Sequence, residues 1–490
     1  MTTKAQALTT LALGATLVIA SAQTVQTTAA AAPAASPPEL SSTEQLLKDL
    51  KNPLSWMNWG ADLRLRNEYF DNLLTLNPHA KLHEQDYFRF RGRVWATITP
   101  VEDLNLNARL ATEAREWMKP AGYSPVKGKV GPDYTEGVID NLNVEWKNVA
   151  SLPATIKVGR QDLFIGDGWL VGDGTPYDGS WTYYLDSARF TYDLKDQHTT
   201  IDVIGIMQEA RDDAWLYPIG ADQNRFVTEQ DEKGAILQIA NTSIKTANLA
   251  GYFIYKHDDM VPGSPSGADN ADIYTIGGRL TGTLSDNWKY SAEGAYQLGT
   301  KQDARVMFPA SSTDYRGINA YGFNSKLSYL LKDKLNNRLD FSFEYLSGDN
   351  PNSKGDQMFD VLWGRWPRWS EIGLYSYAAE TRIGQEANLI RFGPTWTVNP
   401  LKKMEFSASY YALFAPESVA TRDATAKSGT PGTLFTDNGH FRGHFLSGML
   451  KYKFSQHMSG HLWSEFQFPG DYYVSKTMIP FLRAELFFTL

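Results

Sequence analysis

Arg89, Arg91 and Arg93 recur at every second position, so in an extended chain their guanidinium groups stand on one side. Arg64 and Arg66 do the same on the preceding segment, and Arg109 follows on the next. Arg160, Arg189, Arg279, Arg391 and Arg483 occupy polar positions of further alternating segments. Guanidiniums stacked in a confined space create positive potential and favour anions. Their planar fork suits carboxylates, those of uronate sugars included. Carboxylates fall on the same sides: Asp62, Glu113, Glu145, Asp340, Glu344, Glu405 and Glu485. Two readings follow. The arginines meet a passing anion, or they pair with carboxylates across neighbouring strands and brace a wall. In the patch built from Arg64 to Arg109, basic groups outnumber acidic ones, and the first reading is preferred there.

Other chemistries find little support. The chain has no cysteine, which excludes a disulfide-stapled domain, a thiolate metal site and a cysteine nucleophile. A hydrolase needs a nucleophile beside a histidine base. The 8 histidines lie in turns or loops (His79, His83, His457) or singly on strands (His444, His461). His444 with Ser447 and His461 with Ser464 share a spacing, but alternation puts the members of each pair on opposite faces. No catalytic residue, cofactor or metal site is assigned. Asp167, Asp173 and Asp178 offer oxygen ligands of the type calcium takes, and ordinary turn chemistry accounts for them as well. A net charge of −8 argues against nucleic acid as a partner.

The elements that must carry these residues alternate with period two from Trp56 onward. Trp59, Ala61, Leu63 and Leu65 oppose Asp62, Arg64 and Arg66. Phe88, Phe90, Val94, Ala96 and Ile98 oppose the arginine ladder, and Leu104, Leu106, Ala108 and Leu110 oppose Asn105, Asn107 and Arg109. The pattern continues to Leu482, Ala484, Leu486, Phe488 and Leu490 opposite Arg483 and Glu485. The segments run to roughly ten residues or more, the length that crosses a bilayer at a tilt, against about five or six in soluble sheets. Short turns, such as 99–103, 285–287, 399–402 and 455–457, alternate with long polar links near 119–133, 211–232, 302–317, 347–385 and 415–440. That is the rhythm of short periplasmic turns and long extracellular loops. Trp59, Trp146, Trp288 and Trp396 fall near segment ends, where an aromatic girdle belongs. The expectation is a transmembrane antiparallel β-barrel over 56–490. A mature chain of ~460 residues at ~25 per strand and link gives about 18 strands. No leading domain of the size of a plug precedes them, so a plain pore, narrowed at most by an inward loop, is expected.

This resolves a contradiction in composition. The chain is 42% hydrophobic and 13% aromatic, with 14 Trp, 25 Tyr, 24 Phe and 39 Gly, yet polar on average. Averaging a lipid face with a lumen face hides both. The −8 likewise sums a basic interior with acidic links that hold Asp212, Asp213, Asp222, Glu229, Asp231 and Glu232. Ahead of the barrel, Lys4, an apolar stretch from Ala7 to Ala20 and the small residues Ala20-Ser21-Ala22 outline a secretory signal peptide over 1–22, with an alternative end near 32. Residues 23–55 read as a periplasmic tether with one short helix, which Ser41 and Glu44 cap and Leu46, Leu47 and Leu50 line on one face.

Several stretches resemble the bacterial alginate-export outer-membrane porin family. They are Gly159-Arg160-Gln161-Asp162 running into Gly166-Asp167-Gly168, then Leu185-Asp186-Ser187-Ala188-Arg189, Tyr345-Leu346-Ser347-Gly348-Asp349, Phe359 to Arg365, and Pro469-Gly470-Asp471-Tyr472-Tyr473. The alternating terminal strand resembles the signal read by the barrel assembly machinery, with Leu490 where Phe is usual. The resemblance implies an eighteen-stranded barrel in the bacterial outer membrane that conducts an anionic polysaccharide, alginate in the named members. It puts Arg160 and Asp162 on the lumen wall, with Asp186 and Arg189 on the neighbouring strand. In the 347–385 link, Trp363, Arg365, Trp366, Arg368 and Trp369 interleave rings with guanidiniums. They suit either stacking on sugars or tryptophan anchoring at the membrane interface, and the second is preferred. The functional expectation is a channel for an anionic polysaccharide or oligosaccharide through an arginine-lined lumen. A porin for small anions is the alternative, and a closed adhesion barrel is a third class. A periplasmic delivery partner is compatible with export.

Overall fold

Strand-forming alternation has one consequence for the backbone: each edge needs a partner, and only closure removes the last edge. In the computed structural model the chain reaches that solution. The structure describes residues 51, 54–73, 79, 83–121, 133–172, 185–211, 215–220, 227–228, 230–263, 270–302, 315–350, 352–364, 369–373, 387–418, 435–436 and 438–490. The expected signal peptide and tether helix lie outside them.

The first half of the wall is β1 (Met57–Asp71), β2 (Glu84–Val101), β3 (Leu104–Lys119), β4 (Asp133–Trp146), β5 (Ala154–Gln161), β6 (Leu185–Leu194), β7 (Thr199–Gln208), β8 (Asp231–Ile244) and β9 (Ala247–Asp259). The second half is β10 (Asn270–Thr283), β11 (Trp288–Gln302), β12 (Arg316–Leu330), β13 (Arg338–Leu346), β14 (Leu389–Leu401), β15 (Met404–Phe414), β16 (Phe441–Lys453), β17 (Met458–Pro469) and β18 (Ile479–Thr489). Each strand pairs antiparallel with its sequence neighbours, and β1 pairs with β18, so the 18-stranded sheet closes as an up-and-down barrel. Among the described residues no helix is long and apolar enough to cross a membrane; the crossing is made by strands.

The connections separate by length as expected. One end carries tight turns such as 102–103, 245–246 and 402–403; the other carries long links, the longest spanning 347–388. Outward positions hold the apolar set: Leu63, Phe88, Phe90, Val94, Leu106, Val144, Val203, Leu237 and Ile276 are all exposed. At the short-turn end Trp146, Trp288 and Trp396 point outward. Higher on the wall stand Tyr274, Tyr296 and Tyr321. From Trp288 to Tyr296 the strand rises roughly 27 Å, which after tilting approaches the ~25 Å apolar band of such barrels.

Above that band the polarity inverts. In β1 the buried side reads Asp62, Arg64, Arg66, Glu68 and then Phe70, while Asn67, Tyr69 and Asp71 turn outward. Ile204, Ile236, Ile254, Ile273 and Phe481 are likewise buried inside, where they join Leu163, Leu170, Val171 and Phe359 of the long links in one apolar cluster. Burying a residue of this size stabilises by about 1.5–3 kcal/mol. The long-link half of the barrel is therefore filled, and what fills it is its own loops.

Candidate functional site

The arginines predicted for the lumen stand inside it, with the one exception of Arg160, and they meet carboxylates there. Glu68, with no exposed surface, accepts from Arg66 Nη1 at 3.3 Å, Arg89 Nη1 at 2.9 Å and Arg483 Nε at 2.7 Å. Glu113 accepts from Arg89 at 3.0 and 3.1 Å and from Arg64 at 3.4 Å. Asp62 takes Arg93 in a two-oxygen grip and lies 3.6 Å from Arg91. Arg66 closes onto Glu485 of β18 with Nε at 2.8 Å. Among the described residues, this belt holds Arg64, Arg66, Arg89, Arg91, Arg93, Arg115 and Arg483 against Asp62, Glu68, Glu113, Glu371 and Glu485. Guanidiniums remain in excess, as expected, but the belt is a buried ion-pair network. The preferred reading of an arginine patch open to cargo is corrected to the bracing one for these residues, because period-two arginines on β1 and β2 bring period-two carboxylates on β1, β3 and β18 with them.

The other inward arginines are paired too. Arg109 grips Asp140 at 2.8 Å and Asp162 at 2.7 and 2.9 Å. Arg189 reaches Asp202 at 2.8 Å, Arg279 reaches Asp167 at 2.7 Å, and Arg391 reaches Glu344 at 2.9 Å. Arg160 and Asp186 need a correction. They stand opposite each other in register, and Asp186 stands opposite Met207. They share their side of the sheet with Val158 and Met207, both about half exposed, so the pair is on the outward side and not on the lumen wall. Arg160 Nε donates to Asp186 at 3.0 Å, its Nη1 donates to the Ile139 carbonyl at 3.0 Å, and Trp215 covers it at 5.4 Å. It fills the place where β5 leaves the wall early. Glu232 also differs from its reading as a loop acid: it is buried in β8, 3.5 Å from Lys256.

Two links dive into the lumen. The 162–184 link turns inward after Gln161, and Gly166 and Gly168 adopt positive φ of 58° and 76° in its turn. A Cβ on Gly168 would sit 2.3 Å from the Phe164 ring, so the tight turn requires glycine. The 347–388 link crosses to meet it: Gly172 N donates to the Trp363 carbonyl and Trp363 N to the Leu170 carbonyl, forming a short parallel pairing. Trp363 is buried to 3% against β8, where a Cβ on Gly234 would lie 2.3 Å from its ring. This overturns the interfacial-anchor preference for Trp363. Arg365, Trp366 and Arg368 lie outside the described residues. The same link is pinned on the far wall. Glu465 accepts from Ser370 Oγ and the Glu371 and Ile372 amides at 2.9–3.1 Å, and Glu371 pairs with Arg483.

Two cavities open along the inner wall, and the larger abuts this septum. One, of about 260 Å³, is lined by Arg93, Trp95, Thr97, Asn107, Arg109, Asn141 and Lys157. The other, of about 520 Å³, lies against β11–β17, with Trp169, Trp369, Trp463 and Tyr411 among hydroxyls, the cations Lys326, Arg391 and Lys451 and the carboxylates Asp167, Asp340 and Glu344. These lysines, and the rings other than Trp369, were not singled out in the sequence. His444 faces outward beside Tyr410, while Ser447 faces inward and receives Trp463 Nε1, so that pair is split across the wall as expected. Asp167 is occupied by Arg279, Asp173 and Asp178 lie outside the described residues, and no group of three potential metal ligands occurs among those described.

A closed wall, apolar outside and lined by polar cavities inside, defines a channel-forming β-barrel of the bacterial outer membrane. Solved porins share the fold. OccK8 (OprE) of Pseudomonas aeruginosa superposes with TM-score 0.53 at 11% identity, over 88% of this chain and 98% of that one. OccAB4 of Acinetobacter baumannii gives 0.52 at 10%, over 89% and 98%. At such identity the likeness is one of fold. No curated protein matches the chain by sequence. The chain belongs to the alginate export family, whose profile matches residues 55–478.

Proposed function

We propose that the barrel passes an anionic polysaccharide or oligosaccharide of the uronate type across the outer membrane. The observation that carries this reading is the lining of the two cavities: hydroxyl and amide groups for sugar oxygens, aromatic rings for sugar faces, and cations for carboxylates, Lys326 of the larger cavity standing beside Asp340 without pairing to it. The guanidinium excess of the buried belt adds a positive field to the same lumen. Family membership supports the cargo class. A porin for small anions is the second reading, supported by the septum where the two links meet. Single-channel recording on the purified barrel tests both. Anion preference with stepwise block by an oligo-uronate is the expected result for the polymer channel. Anion preference without block favours the small-anion porin, and cation preference overturns both.

A further inference from the structure

The lumen carries two kinds of positive charge, and they are distributed unequally around the wall. On β1, β2, β3 and β18 the cations are guanidiniums locked onto buried carboxylates. On β12 Arg316 is held by Asp349 and Asp356, and the strand's other cation is Lys326. It stands in register with Ser291 of β11 and Ser342 of β13, on the inward side shared with Asp340 and Ser328. It is exposed, lines the 520 Å³ cavity, and has no carboxylate partner among the described residues. The other cations of that cavity are engaged: Arg391 lies against Glu344 and between Trp369 and Tyr411 at 4.8 and 4.7 Å, and Lys451 lies 3.1 Å from Glu405.

We infer that Lys326 is the anchor of a sugar-carboxylate subsite on the β11–β17 wall, and that the arginine belt is not. This rests on the uronate reading above and locates it. The physical argument is one of availability. A guanidinium already holding a buried carboxylate must give up that bond before it holds a cargo carboxylate, and the abandoned partner is left buried and unpaired. An ammonium in lumen water exchanges only solvent, so it binds with modest strength and releases readily, as conduction requires. Around it, the Ser342 and Ser409 hydroxyls offer partners for ring hydroxyls, and the partly exposed Trp463 offers an aromatic surface. The cavity volume falls within the ~300–1,000 Å³ of small-ligand sites, enough for one or two sugar rings.

Planar-bilayer recording on the wild type, Lys326→Gln and Lys326→Arg tests this, with glucuronate, an oligo-uronate and neutral glucose as probes. The expected result is block by both uronates and not by glucose, a dissociation constant about tenfold weaker in K326Q, and recovery in K326R, all at unchanged open-channel structure as judged by the folded-form mobility. Oligo-uronate block that persists equally in K326Q overturns the subsite and leaves the polymer reading standing. Glucuronate block lost in K326Q without any oligo-uronate block supports the subsite and overturns the polymer. Absence of block by either uronate in the wild type overturns both.

Discussion

Replacing Glu68 by Gln separates a belt that braces the wall from one that filters cargo. Glu68 is fully buried and receives three guanidiniums, from Arg66, Arg89 and Arg483, at 2.7–3.3 Å. The amide keeps the shape and removes the charge, leaving those three cations facing one another with little water to screen them. Breaking a buried pair from one side costs about 3–5 kcal/mol. At about 1.4 kcal/mol per factor of ten, the folded fraction relative to the unfolded falls more than a hundredfold. Glu405→Gln is the control. Its pair with Lys451 is about one-third exposed on both sides, so it should lose less than about 1 kcal/mol. Urea unfolding in phospholipid vesicles, followed by tryptophan emission and by the electrophoretic shift of the folded barrel, reads both. If E68Q unfolds at the same urea concentration as E405Q while gaining anion selectivity, the belt is a filter and the reasoning fails.

Three further outcomes follow from the geometry. Arg160→Ala should lower stability by about 1–3 kcal/mol, through its charged hydrogen bonds to Asp186 and the Ile139 carbonyl, yet leave the anion-to-cation permeability ratio unchanged; a changed ratio would return Arg160 to the lumen. Trp363→Ala should loosen the septum, raising single-channel conductance and open-channel noise; identical traces would mean that the path avoids the junction of the two links. Burial pushes the Asp356 carboxyl above the ordinary range, with Asp349 adding to the rise and Lys301 and Arg316 opposing it. A carboxyl raised on folding stabilises the docked link fully below its unfolded value near ~3.9 and loses that contribution as pH rises through the folded value. Protease nicking of the 347–388 link should therefore quicken with rising pH in the wild type and not in Asp356→Asn, and a flat wild-type profile would refute it.

The wall was legible because its pattern is local. Period two on segments of this length fixes which side chains face lipid, and Leu63 against Arg64 is enough to orient β1. What escaped was whatever broke the period or came from far away. Asp140 sits in a register shift of β4 between the partners of Arg109 and Leu110, so simple alternation misplaces it relative to Asn141. Charge and likeness to a motif both point Arg160 inward, yet it keeps the phase of the outward Val158, so a charged residue here occupies a lipid-side position of the strand. Trp363 and Glu371 are placed by contacts with β8 and β18, distant in sequence, and no local spacing announces a link that folds inward. Lys326 lies between Asn324 and Ser328 on the polar side, but a single lysine outside any run of like charges carries no local signal that sets it apart from an ordinary lumen-facing residue.

The seam between β1 and β18 has a temporal meaning. Arg66 and Glu485 are 419 residues apart in sequence, while the other adjoining strands are joined directly by a single link. Neighbouring hairpins can form as soon as their own link is available, but the seam must wait for all of them, since closing so long a loop is slow and gains nothing until the ring is nearly whole. Until then two unpaired edges remain, each able to capture a foreign strand. The Arg66–Glu485 contact therefore marks the moment when the molecule stops being a curved sheet at risk of aggregation and becomes an enclosure with an inside.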